Sequence, residues 1–163
     1  MEKILISACL LGEPVRFDGQ SKAIDNNMIH SWLKEGRLVT VCPEVFGGLT
    51  TPRPAAEIMA NSHHKTSSPL TIKVQTKESV DVSQAFIKGA QQALTLCKQH
   101  DIKFALLSAR SPSCGNEKIY DGTFSKNLID GQGVTADLLN KHGIQVFNQD
   151  QIEQLVHALN HLL

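Results

Sequence analysis

Lys3-Ile-Leu-Ile-Ser-Ala-Cys9 is an apolar run that ends in two small residues and a cysteine. An unbroken Ile-Leu-Ile bounded this closely reads as a short strand buried on both faces, as in a parallel sheet covered by helices. The pattern returns twice. Arg37-Leu-Val-Thr-Val41 runs straight into Cys42, and Lys103-Phe-Ala-Leu-Leu-Ser108 precedes the loop that carries Cys114. Two more strands are predicted over residues 70–75 and 144–147.

Helical periodicity fills the intervals. Over residues 81–100, Val82, Phe86, Ala90, Ala93 and Cys97 step by three or four along one stripe. A second helix is predicted over 24–35, with Ile24, Met28, Ile29 and Trp32 inward and Gly36 as its stop. Two more span 133–142, closed by Gly143, and 151–162, with Ile152, Leu155, Val156, Leu159 and Leu162 inward. Strands alternating with helices, without hairpin signals, predict an α/β fold. The expectation is a single three-layer Rossmann-like domain over residues 1–163, with a mostly parallel sheet and a site at the C-terminal edge of its strands.

Composition narrows the function. Sixteen basic and sixteen acidic side chains cancel, so no global charge draws the chain to nucleic acid or to a membrane surface. No apolar run approaches the roughly 20 residues of a membrane helix. The first run is a poor export signal, because Glu2 offsets Lys3 and Gly12-Glu-Pro14 follows at once. A cytoplasmic location is expected, where structural disulfides are unusual. The four cysteines are then core filler, redox groups or ligands.

Cys97 continues the apolar stripe of its helix and reads as core. Cys9, Cys42 and Cys114 instead fall in loops that follow strands. Parallel strands point the same way, so these loops converge on one edge of the sheet, however far apart they lie in sequence. No Cys-x-x-Cys occurs, which removes the zinc-finger, ferredoxin and thioredoxin signatures. Three thiolates leave a coordination position open. An iron–sulfur cubane and a zinc ion with water both satisfy that count.

Candidate partners surround these cysteines. Glu44 shares the loop of Cys42, where a carboxyl near a metal can act as acid or base; a solvated loop charge is the plainer reading. Ser111 and Ser113 flank Pro112 just before Cys114 and either could position a substrate or water. Arg16, Asp18 and Lys22 follow Cys9, and Arg53 and Glu57 follow Cys42; such charges can orient a polar heterocycle. Gly131-Gln-Gly133-Val-Thr-Ala136 matches Gly-x-Gly-x-x-Ala, but residues 127–130 make a poor preceding strand. Dinucleotide binding is therefore discounted in favour of a turn offering N–H groups to an anion. Residues 61–69, with the exposed pair His63-His64, form a polar loop and a candidate lid.

Taken together, these blocks are similar to one family. Ser7-Ala-Cys9-Leu-Leu-Gly12, Val15-Arg-Phe-Asp-Gly19, Cys42-Pro-Glu44, Gly47-Gly-Leu49, Pro52-Arg53, Ser111-Pro-Ser-Cys-Gly115 and the Gly131 block occur in matching order over most of the chain. The pattern resembles the small bacterial family that includes thiouracil desulfurase. That resemblance implies a [4Fe–4S] cluster on Cys9, Cys42 and Cys114 with one iron open. It also implies a non-redox desulfuration of a small thiolated base such as 2-thiouracil, with no nucleic acid and no membrane as partner. The family's acid/base glutamate falls on Glu44 and its catalytic serine on Ser111, with Ser113 the alternative. Arg16, Asp18, Lys22, Arg53 and Ser113 are then the candidate substrate contacts. A zinc-dependent hydrolase with Glu44 as base, or a non-catalytic cluster-binding sulfur or redox sensor, are the competing readings.

Overall fold

The computed structural model describes residues 1–60 and 72–162. In chain order its strands are β1 (Ile4–Ser7), β2 (Leu38–Val41), β3 (Ala56–Ile58), β4 (Val74–Thr76), β5 (Phe104–Leu107), β6 (Lys118–Tyr120), β7 (Leu128–Asp130) and β8 (Gln145–Asn148). The helices are α1 (Asn27–Lys34), α2 (Pro43–Phe46), α3 (Ser83–Gln99), α4 (Val134–Lys141) and α5 (Ile152–Asn160).

The central sheet has the order β2-β1-β5-β8, and every pairing in it is parallel. Ile4 stands beside Leu38 on one side and Phe104 on the other, which makes β1 an interior strand. All four residues of β1 are buried, as the Ile-Leu-Ile run predicts. Alternation along the strands divides the core in two. Leu5, Ala105 and Leu107 face α3 and α4, whereas Ile4, Ile6, Phe104 and Leu106 pack with Ile29 and Trp32 of α1 and Ile152 and Leu155 of α5. The result is the expected helix–sheet–helix layering.

Helix α1 starts later than its apolar pattern suggests, because Asn26 caps it by accepting hydrogen bonds from the N–H groups of Met28 and Ile29. Helix α3 begins after Asp81, whose side chain accepts from the N–H of Ser83. Two expectations need correction. The predicted strand over 70–75 appears as β4, which pairs antiparallel with β3 and lies outside the central sheet. Residues 128–130 do form a strand, but β7 pairs antiparallel with β6 rather than opening a dinucleotide unit. Strands of three residues joined by irregular loops carry no hairpin signature that periodicity can register. The proposed lid at 61–69 and the pair His63-His64 lie outside the described residues.

Candidate active site

β1 is flanked in the sheet by β2 on one side and β5 on the other, so the chain reverses direction of travel between β1 and β5. Crevices at such reversals are where open α/β sheets bind ligands. A cavity of about 480 Å³ opens there, lined by Cys9, Cys42 and Cys114 together with Glu44 and Ser111.

Each thiol is placed by backbone that the sheet fixes. Cys9 lies in a single 3-10 turn, Ala8–Leu11, that follows β1 directly. Cys42 follows β2 and is the N-cap residue of α2, with Pro43 in the first helical position. That short helix lies against α3 at Gly89, where a Cβ would stand 1.8 Å from the Pro43 carbonyl oxygen; only glycine allows the approach. Cys114 sits in the turn after β5, held by Ser111, whose Oγ accepts from the N–H groups of Ser113 and Cys114 at 3.1 Å each.

Two serines at the strand ends complete the floor. Ser7 Oγ donates to Cys114 Sγ at 3.7 Å and accepts from the Ser108 N–H at 3.0 Å, tying β1 to β5. Ser108 partly offsets the upward push of burial on the Cys9 thiol. Burial pushes all three thiols above the usual cysteine range. Neighbouring thiols add to this for Cys9 and Cys114, and Glu44 adds to it for Cys42 while the amides of Val45 and Glu44 work against it. Such thiols keep their protons until a metal displaces them.

Glu44 is held by Arg53, whose Nε donates to Glu44 Oε1 at 3.1 Å, with both side chains largely buried. Burial raises the Glu44 carboxyl above its ordinary range, and the Arg53 guanidinium only partly offsets this. Three more donors of Arg53 go to the Thr50 carbonyl, Thr51 Oγ1 and the Val15 carbonyl. Arg53 therefore clamps the loops of Cys9 and Cys42 together, and it also lines the cavity. Arg16 and Lys22 also line the cavity; burial and then the nearby Arg110 and Arg16 hold the Lys22 amine below its ordinary range.

Two predicted site residues are placed elsewhere. Ser113 is fully buried, its Oγ 2.8 Å from Thr135 Oγ1, and it is not among the cavity-lining residues. Asp18 is exposed, accepts from the Gln20 N–H within its own turn, and does not line the cavity either. The Gly131 block is also reassigned. Its helix start is capped by chain carbonyls, since Val134 N donates to Pro112, and Thr135 and Ala136 donate to Ser113. A Cβ on Gly133 would stand 2.4 Å from the Ser113 carbonyl carbon, so this glycine lets α4 brace the Cys114 turn and leaves no room for an anion. Cys97 behaves as expected: it is buried in the core of α3, and burial pushes its thiol up to about 12.

Sequence reasoning missed Tyr120, Phe124 and Lys126, which reach the cavity from β6 and the loop after it. It also passed over Ser7 and Ser108 as ligand supports. Both are small polar residues at the ends of buried strands, which was the available signal.

The donor set can be tested against the two metal readings. Among the described residues, no group of three or more His, Cys, Asp or Glu side chains is arranged to hold a single metal ion. Three thiolates on one zinc stand about 3.8 Å apart, the edge of a tetrahedron with bonds of about 2.3 Å. A cubane spreads its thiolates over three irons and needs wider spacing. Three soft thiols around a roomy cavity suit a cluster by ligand chemistry and by the space between them.

A parallel α/β sheet carries three thiols at its point of reversal, a donor set of the kind that binds soft metal centres. Comparison with known proteins narrows the class. The chain belongs to the 2-thiouracil desulfurase family, whose model matches residues 4–151. It is 35% identical to YbbK of Bacillus subtilis (strain 168) over 153 residues, covering 94% of this chain and 99% of that one. A solved structure described as a [4Fe–4S]-dependent thiouracil desulfidase, TudS, matches with a TM-score of 0.91 at 47% identity, covering 99% of this chain and 100% of the other. The family and fold expected from the sequence blocks are thus borne out.

Proposed function

We propose that this protein is an iron–sulfur-dependent enzyme that removes sulfur from a small thiolated base such as 2-thiouracil, with a [4Fe–4S] cluster held by Cys9, Cys42 and Cys114. The observation that carries the reading is the convergence of those three thiols, from three adjacent strand ends, on one cavity that also contains Glu44. Membership of the family and the description of the TudS structure support the same reaction.

When bound, the cluster supplies a Lewis-acidic iron with affinity for sulfur. The chain's own residues supply the proton chemistry. Arg53 fixes Glu44 through Oε1. Glu44 then takes a proton from the water that adds to the thiocarbonyl carbon and returns it as the sulfur departs. The balance is C=S plus water giving C=O plus hydrogen sulfide, with no electrons exchanged. Ser111 Oγ already accepts two backbone N–H bonds, so it offers the substrate its hydroxyl proton. Arg16 and Lys22 line the entrance as polar contacts for the base.

No helix among the described residues is long and apolar enough to cross a membrane. All four cysteines are free. We place the reaction in the cytoplasm, where thiols stay reduced, and treat residues 1–163 as one domain that holds the complete site.

Anaerobic preparation followed by iron, sulfide and turnover assays tests the proposal. The expected result is iron and labile sulfide in equal amounts, with sulfide released from 2-thiouracil by the loaded protein alone. Stoichiometric zinc in place of iron, or loaded protein without turnover on any thiolated base, overturns it.

A further inference from the structure

A further wall of the cavity is built from β3, β6 and the loop that joins β6 to β7. Glu57, at the centre of β3, is buried at 8% exposure and lines the cavity. Its Oε1 accepts two hydrogen bonds from that loop, from the N–H of Gly122 at 3.0 Å and the N–H of Phe124 at 3.2 Å. Among the described residues, nothing hydrogen-bonds its Oε2. One carboxyl oxygen thus organises the loop, and the other is left as an acceptor in a cavity-lining side chain.

The loop so organised is preformed. Asp121 Oδ1 accepts from the N–H and hydroxyl of Thr123, and Asp121 Oδ2 accepts from Asn127 Nδ2. Phe124 is held at a φ of 58°, a left-handed conformation that bulky side chains rarely adopt. The residue nonetheless lines the cavity. Strained residues of this kind cluster at ligand sites, and this one lines the cavity beside a buried carboxyl that holds its backbone.

We propose that Glu57 and Phe124 form the base-recognition wall of this site. Phe124 stacks on the flat face of the pyrimidine ring, and Glu57 Oε2 accepts one of its ring N–H bonds. The inference rests on the desulfurase reading and adds the chemistry that selects the substrate. A planar heterocycle with a ring N–H satisfies both groups, whereas an open-chain thioamide presents only the small face of its N–C–S plane. Neither residue bonds a thiol, so the wall acts on substrate affinity and leaves cluster binding alone.

The test uses iron-loaded protein and two readouts, calorimetric binding of uracil and sulfide release from 2-thiouracil and its two N-methyl derivatives. Glu57→Gln keeps an amide oxygen for the loop N–H groups and replaces the free acceptor with a donor. It is expected to retain iron and thermal stability, weaken uracil binding about 10- to 100-fold, and lose the wild-type discrimination against one N-methyl derivative. Phe124→Gly relieves the backbone while removing the ring. It is expected to melt at the same or a higher temperature and to bind uracil about 5- to 100-fold more weakly, with Phe124→Tyr restoring affinity. Undiminished uracil affinity in both Glu57→Gln and Phe124→Gly overturns the proposal, as does wild-type protein that tells neither N-methyl derivative from the parent. Wild-type protein that binds uracil but releases no sulfide overturns the desulfurase reading instead. The variants then still read out the wall through binding.

Discussion

The floor of the cavity is made from the ends of β1, β2 and β5, while another wall comes from β3, β6 and the loop after β6, which belong to antiparallel pairs whose strands are three residues long. On the floor, the interactions that hold the core also fix the thiols: β1 is fully buried, and Ser7 ties its end to that of β5. On the wall, position depends on side chains reaching across to distant backbone, as Glu57 does to residues 65 and 67 positions further along the chain. In the proposed reading, chemistry that tolerates little displacement sits on the sheet, and the groups that choose a substrate sit on a separate set of loops. Substitutions should follow this division: floor changes abolish the centre or its chemistry, and wall changes alter affinity.

The largest effect tests the floor itself. Cys9→Ala, Cys42→Ala and Cys114→Ala are each expected to lose the iron and all sulfide release, whereas Cys97→Ala keeps both; iron analysis and visible absorption decide. Full iron in any of the first three variants would move the centre elsewhere. Next, Glu44→Gln is expected to retain iron while kcat falls about 10²- to 10⁴-fold, the usual range for a lost general acid/base. An unchanged kcat removes Glu44 from the proton chemistry.

A subtler break comes from behind the floor. Gly89→Ala forces α2 away from α3, at a cost of about 1–3 kcal/mol for overpacking. That corresponds to about 2–4 °C of melting temperature per kcal/mol, and weaker iron retention should accompany it because Cys42 directly precedes the displaced Pro43. Stability loss with unchanged iron retention would uncouple that contact from the centre.

The smallest effect sharpens the comparison most. Ser113→Ala is expected to cost about 1–2 kcal/mol through the orphaned Thr135 hydroxyl, with kcat unchanged. Ser111→Ala should keep iron and lower kcat. Equal kcat losses in the two variants would undo the assignment of the two serines.

Much of the floor was legible in the sequence. Ile4 to Ile6 could only be a buried strand, the stripe from Val82 to Cys97 could only be a helix face, and parallel topology then carried Cys9, Cys42 and Cys114 to one edge. The blocks around those cysteines also carried the family. Each of these signals is local: a run or a period long enough to report burial, or a residue type with few alternative uses.

Only the tertiary structure separated Ser111 from Ser113, turned the Gly131 block from an anion cradle into a brace for the Cys114 turn, and set Glu57 beside Phe124. In each case the deciding partner arrives from far along the chain, and the strands involved are too short for periodicity to show which way a side chain faces. The sequence alone determined which strands are buried and which thiols leave their ends. Which oxygen, ring or amide meets the cavity was decided by packing between segments that share no local pattern.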